Sequence, residues 1–205
     1  MSAPATFYYP NRMGRIILSS LQEVVGRNGL QAALHLAGLE GLFAPDVPEN
    51  SYSFQAIGAL QEKLERLYGP RGGRGLALRA GRVCFKYGLR EFGLEMGLTE
   101  TAFRLLPMPV KVRTAGRAFA DLFNKHTDQI VSIEEGEEKL IWRIERCPLC
   151  WERRSQEPVC HLAVGLLQES LYWLSGGKIF NVQETQCVAC GDPACVIEID
   201  AVPLD

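Results

Sequence analysis

The sequence predicts an α+β fold, with N-terminal helices packed on a four-stranded, mainly antiparallel sheet and a ββαββ C-terminal half. Three observations carry this. Apolar residues recur at helical spacing through the first 127 residues, the period shortens to two after Thr127, and one more helical stretch interrupts the strand-like segments. A single domain over 1–205 is expected, mainly helical over 1–127 and ββαββ over 128–205, where the cysteines gather.

Residues 12–27 place Met13, Ile16, Ile17, Leu21, Val24 and Val25 at helical spacing and stop at Arg27-Asn28-Gly29, after which 30–39 reads as a short second helix. A loop over 45–50 follows. Residues 53–68 resume the pattern through Phe54, Ile57, Leu60, Leu64 and Leu67, until Gly69-Pro70-Arg71-Gly72-Gly73 ends it. From 75 to 92 a longer helix carries Gly81 and Gly88 on one face, where a backbone or a ligand can come close, and tight helix packing is the plainer reading. Residues 109–126 form the last helix of this half.

Residues 129–134 and 139–145 then read as a hairpin around the acidic turn Glu135-Gly136-Glu137-Glu138. A cysteine-rich loop over 147–158 leads into a helix over 159–174, with Gly176-Gly177 as its C-cap. Two strands, 178–187 and 194–200, close the chain, joined by the turn Cys190-Gly191-Asp192-Pro193.

Composition narrows the function classes. With 47% hydrophobic residues in 205 the chain is not disordered. The net charge of −2 hides an asymmetry: 15 basic against 9 acidic residues over 1–120, and 7 against 15 over 121–205. A sequence pI near 6.0 argues against a nucleic-acid partner. No stretch approaches the about 18 consecutive apolar residues of a membrane span, and the start, MSAPATFYYPNRMGR, lacks a signal-peptide pattern. A soluble, cytoplasmic protein is expected. Seven cysteines, six of them between Cys147 and Cys195, suit a metal or redox cluster in a reducing compartment better than a disulfide framework.

Cys160, Glu184, Cys187 and Cys195 are the leading candidate metal ligands. Glu184 shares strand parity with Phe180 and Val182, which puts a carboxylate on an apolar face, where a charge needs a partner or a metal. Three thiolates and a carboxylate complete a closed, tetrahedral Zn²⁺ site of the structural type. A competing set pairs the two CxxC units, Cys147-Cys150 and Cys187-Cys190, and an iron–sulfur cluster is the alternative cofactor for so many thiolates. Cys84 reads as core. Cys160-His161 is not a nucleophile and base, because adjacent helix residues do not face each other; His35 and His126 read as satisfied surface residues. No catalytic residue stands out. Gly69 to Gly75 is no dinucleotide loop, since a helix precedes it. Phe85, Phe92, Phe119, Phe123, Trp142 and Trp173 are candidates to line an apolar pocket, within a wider set that includes Tyr87, Phe103, Leu105, Leu106, Leu122 and Tyr172.

The ordered residues Cys160 to Gly165, Glu184-Thr-Gln-Cys187 and Gly191-Asp-Pro-Ala-Cys195 resemble the 4-vinyl reductase domain family, over about residues 140–200. That family includes a bacteriochlorophyll-biosynthesis protein, archaeal proteins described as hydrocarbon-binding, and sensor domains of aromatic-responsive activators. The resemblance implies a ligand-binding fold shared with subunits of a vesicle-tethering transport particle, a homodimer, and a buried apolar pocket. It also implies a structural zinc on Cys160, Glu184, Cys187 and Cys195. The chain departs from the pattern by adding Cys147, Cys150 and Cys190, which form an alternative or second metal set.

The function expected on these grounds is a small-molecule binding or sensing domain for a hydrocarbon, aromatic, tetrapyrrole or acyl ligand, with structural zinc. The rival is an enzyme or accessory of tetrapyrrole 4-vinyl reduction, which would be an oxidoreductase needing an outside electron source. A further rival is a protein-interaction or assembly subunit.

Overall fold

The structure, a computed structural model, describes residues 6–44, 46–136 and 138–204. Pro45 of the expected loop and Glu137 of the acidic turn lie outside the described residues. The element order is β1 (Tyr8–Tyr9), α1 (Asn11–Ala37), a 3₁₀ turn (Glu40–Phe43), β2 (Tyr52–Ser53), α2 (Phe54–Phe92), α3 (Thr101–Arg104) and α4 (Met108–His126). It continues with β3 (Val131–Glu135), β4 (Lys139–Ile144), α5 (His161–Ser175), β5 (Val182–Gln186), a 3₁₀ turn (Val188–Cys190) and β6 (Cys195–Asp200). The α+β architecture is the one the change of period predicts.

The long helices differ from expectation in how they break. Gly26 interrupts α1 at φ 74°, ψ 166°, and Gly69 interrupts α2 at φ 74°, ψ 164°. A single glycine in a conformation closed to other residues redirects the chain, and the helix resumes at once. The turns expected over 27–29 and 69–73 are therefore helical, and Pro70 begins the second half of α2, where its missing N–H leaves no bond unmade. Ser53 caps the start of α2, its Oγ accepting from the Ala56 N–H at 3.1 Å.

The ladder between β1 and β2, Tyr8 opposite Ser53 and Tyr9 opposite Tyr52, pins the N-terminal segment beside the start of α2. Two-residue strands carry no readable period, and the sequence gives no sign of them.

The main sheet runs β3-β4-β6-β5 with every neighbour antiparallel. Along β5 the register steps from Glu184 opposite Ile197 to Gln186 opposite Val196, so Thr185 is an extra, unmatched residue. This bulge shifts the alternation by one. Glu184 and Cys187, three apart, both point inward while Thr185 and Gln186 are exposed.

Helix α5 joins the halves. A side chain at Gly81 would place its Cβ 2.0 Å from the Leu162 carbonyl oxygen, and one at Gly165 would meet the Leu78 carbonyl oxygen at 2.0 Å. The α2 and α5 backbones touch there because both residues lack side chains. Gly81 is thus a packing glycine, whereas Gly88 has open space before it. Helix α5 ends at Gly176 in the left-handed conformation, φ 75°. One apolar core runs through the helices and the sheet. No helix among the described residues is long and apolar enough to cross a membrane.

Candidate metal centre and apolar cavity

Four segments bring the cysteines together. Cys147 and Cys150 lie on the loop after β4, Cys160 immediately precedes α5, Cys187 follows β5, and Cys195 opens β6 opposite Ile144. The loop is held from outside: Arg153 donates to Glu65 of α2 at 2.6 Å, and its N–H bonds the Cys150 carbonyl at 3.0 Å. Trp151 packs edge-on against Phe7 at 5.2 Å between centroids.

All five sulfurs and the Glu184 carboxylate are buried. Sγ separations are 3.4 Å for Cys147–Cys160 and Cys150–Cys195, 3.6 Å for Cys160–Cys195, and 3.9 Å from Cys187 to each of Cys160 and Cys195. These are close to the edge of about 3.8 Å of a tetrahedron built on metal–sulfur bonds of about 2.3 Å. The Cys160 N–H donates to Glu184 Oε2 at 2.7 Å, and the Val188 N–H points at the Cys195 sulfur at 3.4 Å. The turn between Cys187 and Cys195 is fixed by the Asp192 carboxylate, which accepts from the Cys187 N–H at 2.8 Å, and by Gly191 at φ 99°.

The donor set fits a metal ion. Glu184 Oε1 is buried with no hydrogen-bond partner. Burial, then the charge of Cys187, pushes the Glu184 carboxyl up to about 9, so the carboxylate form lacks a counter-charge. Hydrogen bonding to Cys147, ahead of the other thiols, raises the Cys160 and Cys195 thiols well above their ordinary range and lowers Cys150 well below it. Thiols this crowded ionise at each other's expense, and a bound cation takes them together as thiolates.

Of the residues singled out from the sequence, Cys160, Glu184, Cys187 and Cys195 lie together. Cys147 and Cys150 join Cys160 and Cys195 instead of pairing with Cys187 and Cys190, and Cys190 is exposed. Spacing along the chain groups the CxxC units with each other. In space the register of Ile144 against Cys195 brings the first unit to β6. Cys84 is buried, and burial pushes its thiol up to about 12. His161 is driven down to about 4 by burial and then by Arg74 and Arg153, which leaves its ring neutral at pH 7. His35 pairs with Glu40 at 2.6 Å and His126 with Glu95 at 2.7 Å.

Beside the cluster lies an apolar cavity of about 90 Å³. Phe85, Phe92, Phe119, Phe123 and Trp142 line it; Trp173 does not, and instead sits behind Phe85 with ring centroids 6.0 Å apart. Leu105 and Tyr172, from the wider set, are 80% and 49% exposed, which excludes them from any buried wall. The sequence reading also misses Tyr9 and Gln129, which give the wall a polar edge: the Tyr9 hydroxyl donates to Gln129 Oε1 at 2.7 Å. The signal for Tyr9 is its place in the two-residue ladder with Tyr52, which only the structure shows. Leu149, Leu162 and Ala163 line the cavity from the same loop and helix that carry Cys147, Cys150 and Cys160.

Comparison with known proteins places this arrangement. Residues 140–201 match the family model of the 4-vinyl reductase domain. The matched segment holds every member of the cysteine cluster, and the resemblance read from the sequence holds over it. A curated relative, "Uncharacterized protein MJ0745" of Methanocaldococcus jannaschii, is 32% identical over 63 residues, 31% of this chain and 34% of that protein. The match therefore spans about a third of the relative's length. Among solved structures, the H-NOX protein from K. algicida is similar with a TM-score of 0.62 at 10% identity, covering 96% of this chain and 97% of that one. An H-NOX protein from S. oneidensis in the Fe(II)NO ligation state gives 0.60 at 12% identity, covering 95% and 99%. The phenol-responsive sensory domain of the activator PoxR, solved with phenol, is 22% identical with a TM-score of 0.49, covering 71% and 72%. The H-NOX likeness is one of fold, and it includes the helical half that lies outside the segment matched by the family model.

Proposed function

We propose that the chain is a small-molecule binding module in which a structural zinc ion, held by Cys160, Glu184, Cys187 and Cys195, fixes one wall of an apolar cavity. The observation that carries this reading is the shared wall: Leu149, Leu162 and Ala163 reach the cavity from the segments that bear Cys147, Cys150 and Cys160. Zinc supplies no redox chemistry in such a site, and four protein donors leave no position open for substrate. The protein's own part is to bury the thiolates, orient Glu184 through the Cys160 N–H, and keep water from the cavity.

The cavity volume sets the class of ligand. An engineered cavity of about 150 Å³ in another protein holds benzene, whereas drug-sized ligands occupy pockets of roughly 300–1,000 Å³. At about 90 Å³ the cavity supports a single-ring aromatic or a short hydrocarbon, with Tyr9 and Gln129 as partners for one polar group. One similar structure is described in terms of haem redox potential and porphyrin distortion. A haem does not fit here: the cavity is too small, and no histidine is among its lining residues. The same volume weighs against a tetrapyrrole ligand. The sulfur separations support a mononuclear or thiolate-bridged metal site over an iron–sulfur cluster, whose thiolates bind different irons and stand further apart. A cytoplasmic homodimer is the setting that the family resemblance implies.

Two measurements test this together. Elemental analysis of freshly purified, reduced protein is expected to find zinc, and titration with phenol or toluene is expected to quench or shift Trp142 fluorescence. Ala163→Leu, which fills the cavity, should abolish the response. If no single-ring compound binds the zinc-loaded protein, the ligand reading fails.

A further inference from the structure

We propose that the cysteine cluster holds two metal ions, bridged by the sulfurs of Cys160 and Cys195. This rests on the zinc reading above and extends it to Cys147 and Cys150. The six buried donors fall into two sets of four, Cys147, Cys150, Cys160 and Cys195, and Cys160, Glu184, Cys187 and Cys195. Within each set the donor atoms all lie within 4.8 Å of one another. Two sets of four that share two members describe two tetrahedra joined along an edge. The shared edge is Cys160 to Cys195, 3.6 Å long, close to the about 3.8 Å of a tetrahedral zinc–thiolate site. The other sulfurs flank it: Cys147 is 3.4 Å from Cys160, Cys150 is 3.4 Å from Cys195, and Cys187 is 3.9 Å from both.

Single occupancy leaves donors stranded. An ion in the set with Glu184 keeps Cys147 and Cys150 as buried thiols pressed against metal-bound sulfur. An ion in the all-cysteine set leaves Glu184 Oε1 buried and without a partner, and a buried carboxylate in that condition is costly. Occupancy of both sets gives each of the six a metal. Charge points the same way: five thiolates and one carboxylate carry six negative charges, and two divalent ions offset four of them where one offsets two. The Cys160 and Val188 N–H groups and the start of α5 face the remainder. Loading is a coordination step without electron transfer; the thiol protons pass to the solvent.

The experiment is a zinc titration of the full chain, stripped of metal under reducing conditions and followed by native mass spectrometry with elemental analysis. Two zinc ions per chain are expected at saturation, falling to one in Cys150→Ser and in Glu184→Gln. Loaded with cobalt(II), the wild-type chain should lose paramagnetic resonance intensity on the second equivalent, as two ions couple through shared sulfur. Saturation at one zinc per chain overturns the two-ion site and leaves the single-zinc reading standing, whereas no bound zinc overturns both. Two cobalt ions with additive signals overturn the bridge. The wild-type stoichiometry and the cobalt signal need no variant, so a substitution that fails to fold leaves the test intact.

Discussion

Around the cavity, Phe119, Phe123 and Trp142 meet through contacts that have no required direction, and any one of them could be exchanged for a side chain of similar volume. Around Cys160, by contrast, five sulfurs and a carboxylate sit at separations that a few tenths of an ångström would spoil. The two regions share a wall, yet one tolerates variation that the other does not. The donor cluster fixes position and the cavity adapts around it, so the chemistry of recognition is free to vary while the frame is kept.

Losing the shared donor should have the largest effect. Cys160→Ser removes a ligand common to both four-donor sets, and metal removal by a chelator does the same to the whole cluster. Because structural zinc sites contribute folding energy outright, a loss of about 5 kcal/mol or more is expected, which for a chain of this size lowers the melting temperature by about 10–20 °C. Thermal melts followed by circular dichroism, with and without chelator, measure it; unchanged melts would mean that the sulfurs serve packing alone.

A change confined to the cavity should be smaller and should leave the metal in place. Phe119→Ala deletes a ring packed 5.9 Å from that of Phe85, and large-to-small core changes of this kind cost about 3–5 kcal/mol. Its zinc content should match the wild type, and its fluorescence titration should shift toward larger aromatic compounds. A variant that loses its zinc would show that the cavity and the cluster are not separable in this way.

The smallest expected effect lies outside both regions. Glu95 is held down to about 2 from an ordinary value of 4.5, first by its hydrogen bond to Lys125 and then by that to His126. A depressed carboxylate contributes stability above about 4.5 that is lost as pH falls toward 2. Glu95→Gln should flatten the acid side of the stability profile in that window and change the melting temperature at neutral pH by little, since the pair is exposed. Urea denaturation at several pH values reads the slope, and an undiminished slope in the variant would assign the acid dependence elsewhere.

The contrast between the regions also explains what could be read from residues alone. Strand parity puts Glu184 on the buried face because Phe180 and Val182 share its phase. Parity also places Cys187 on the wrong side, since nothing in Thr185 or Gln186 announces a bulge. The helices over 12–27 and 53–68 are legible from their apolar stripes, whereas the kinks at Gly26 and Gly69 look like turns, because a glycine that redirects a helix and one that ends it have the same composition around them. The cavity is the least legible part. Phe85 and Trp142 are apolar residues at buried positions whether or not space is left between them, and Tyr9 enters through a ladder too short to carry a period.

The bulge at Thr185 has a consequence for other chains of this kind. On a regular strand, a carboxylate and a cysteine on one face are separated by one residue, so the motif would read Glu-x-Cys. The two-residue spacer of Glu184-Thr-Gln-Cys187 is the bulge written in sequence. A chain with the shorter spacer keeps both groups on the inner face but draws the cysteine one position closer, by about 3.3 Å, away from its place beside the other sulfurs. Counting that spacer therefore separates chains that can build this centre from chains that carry the same residues and cannot.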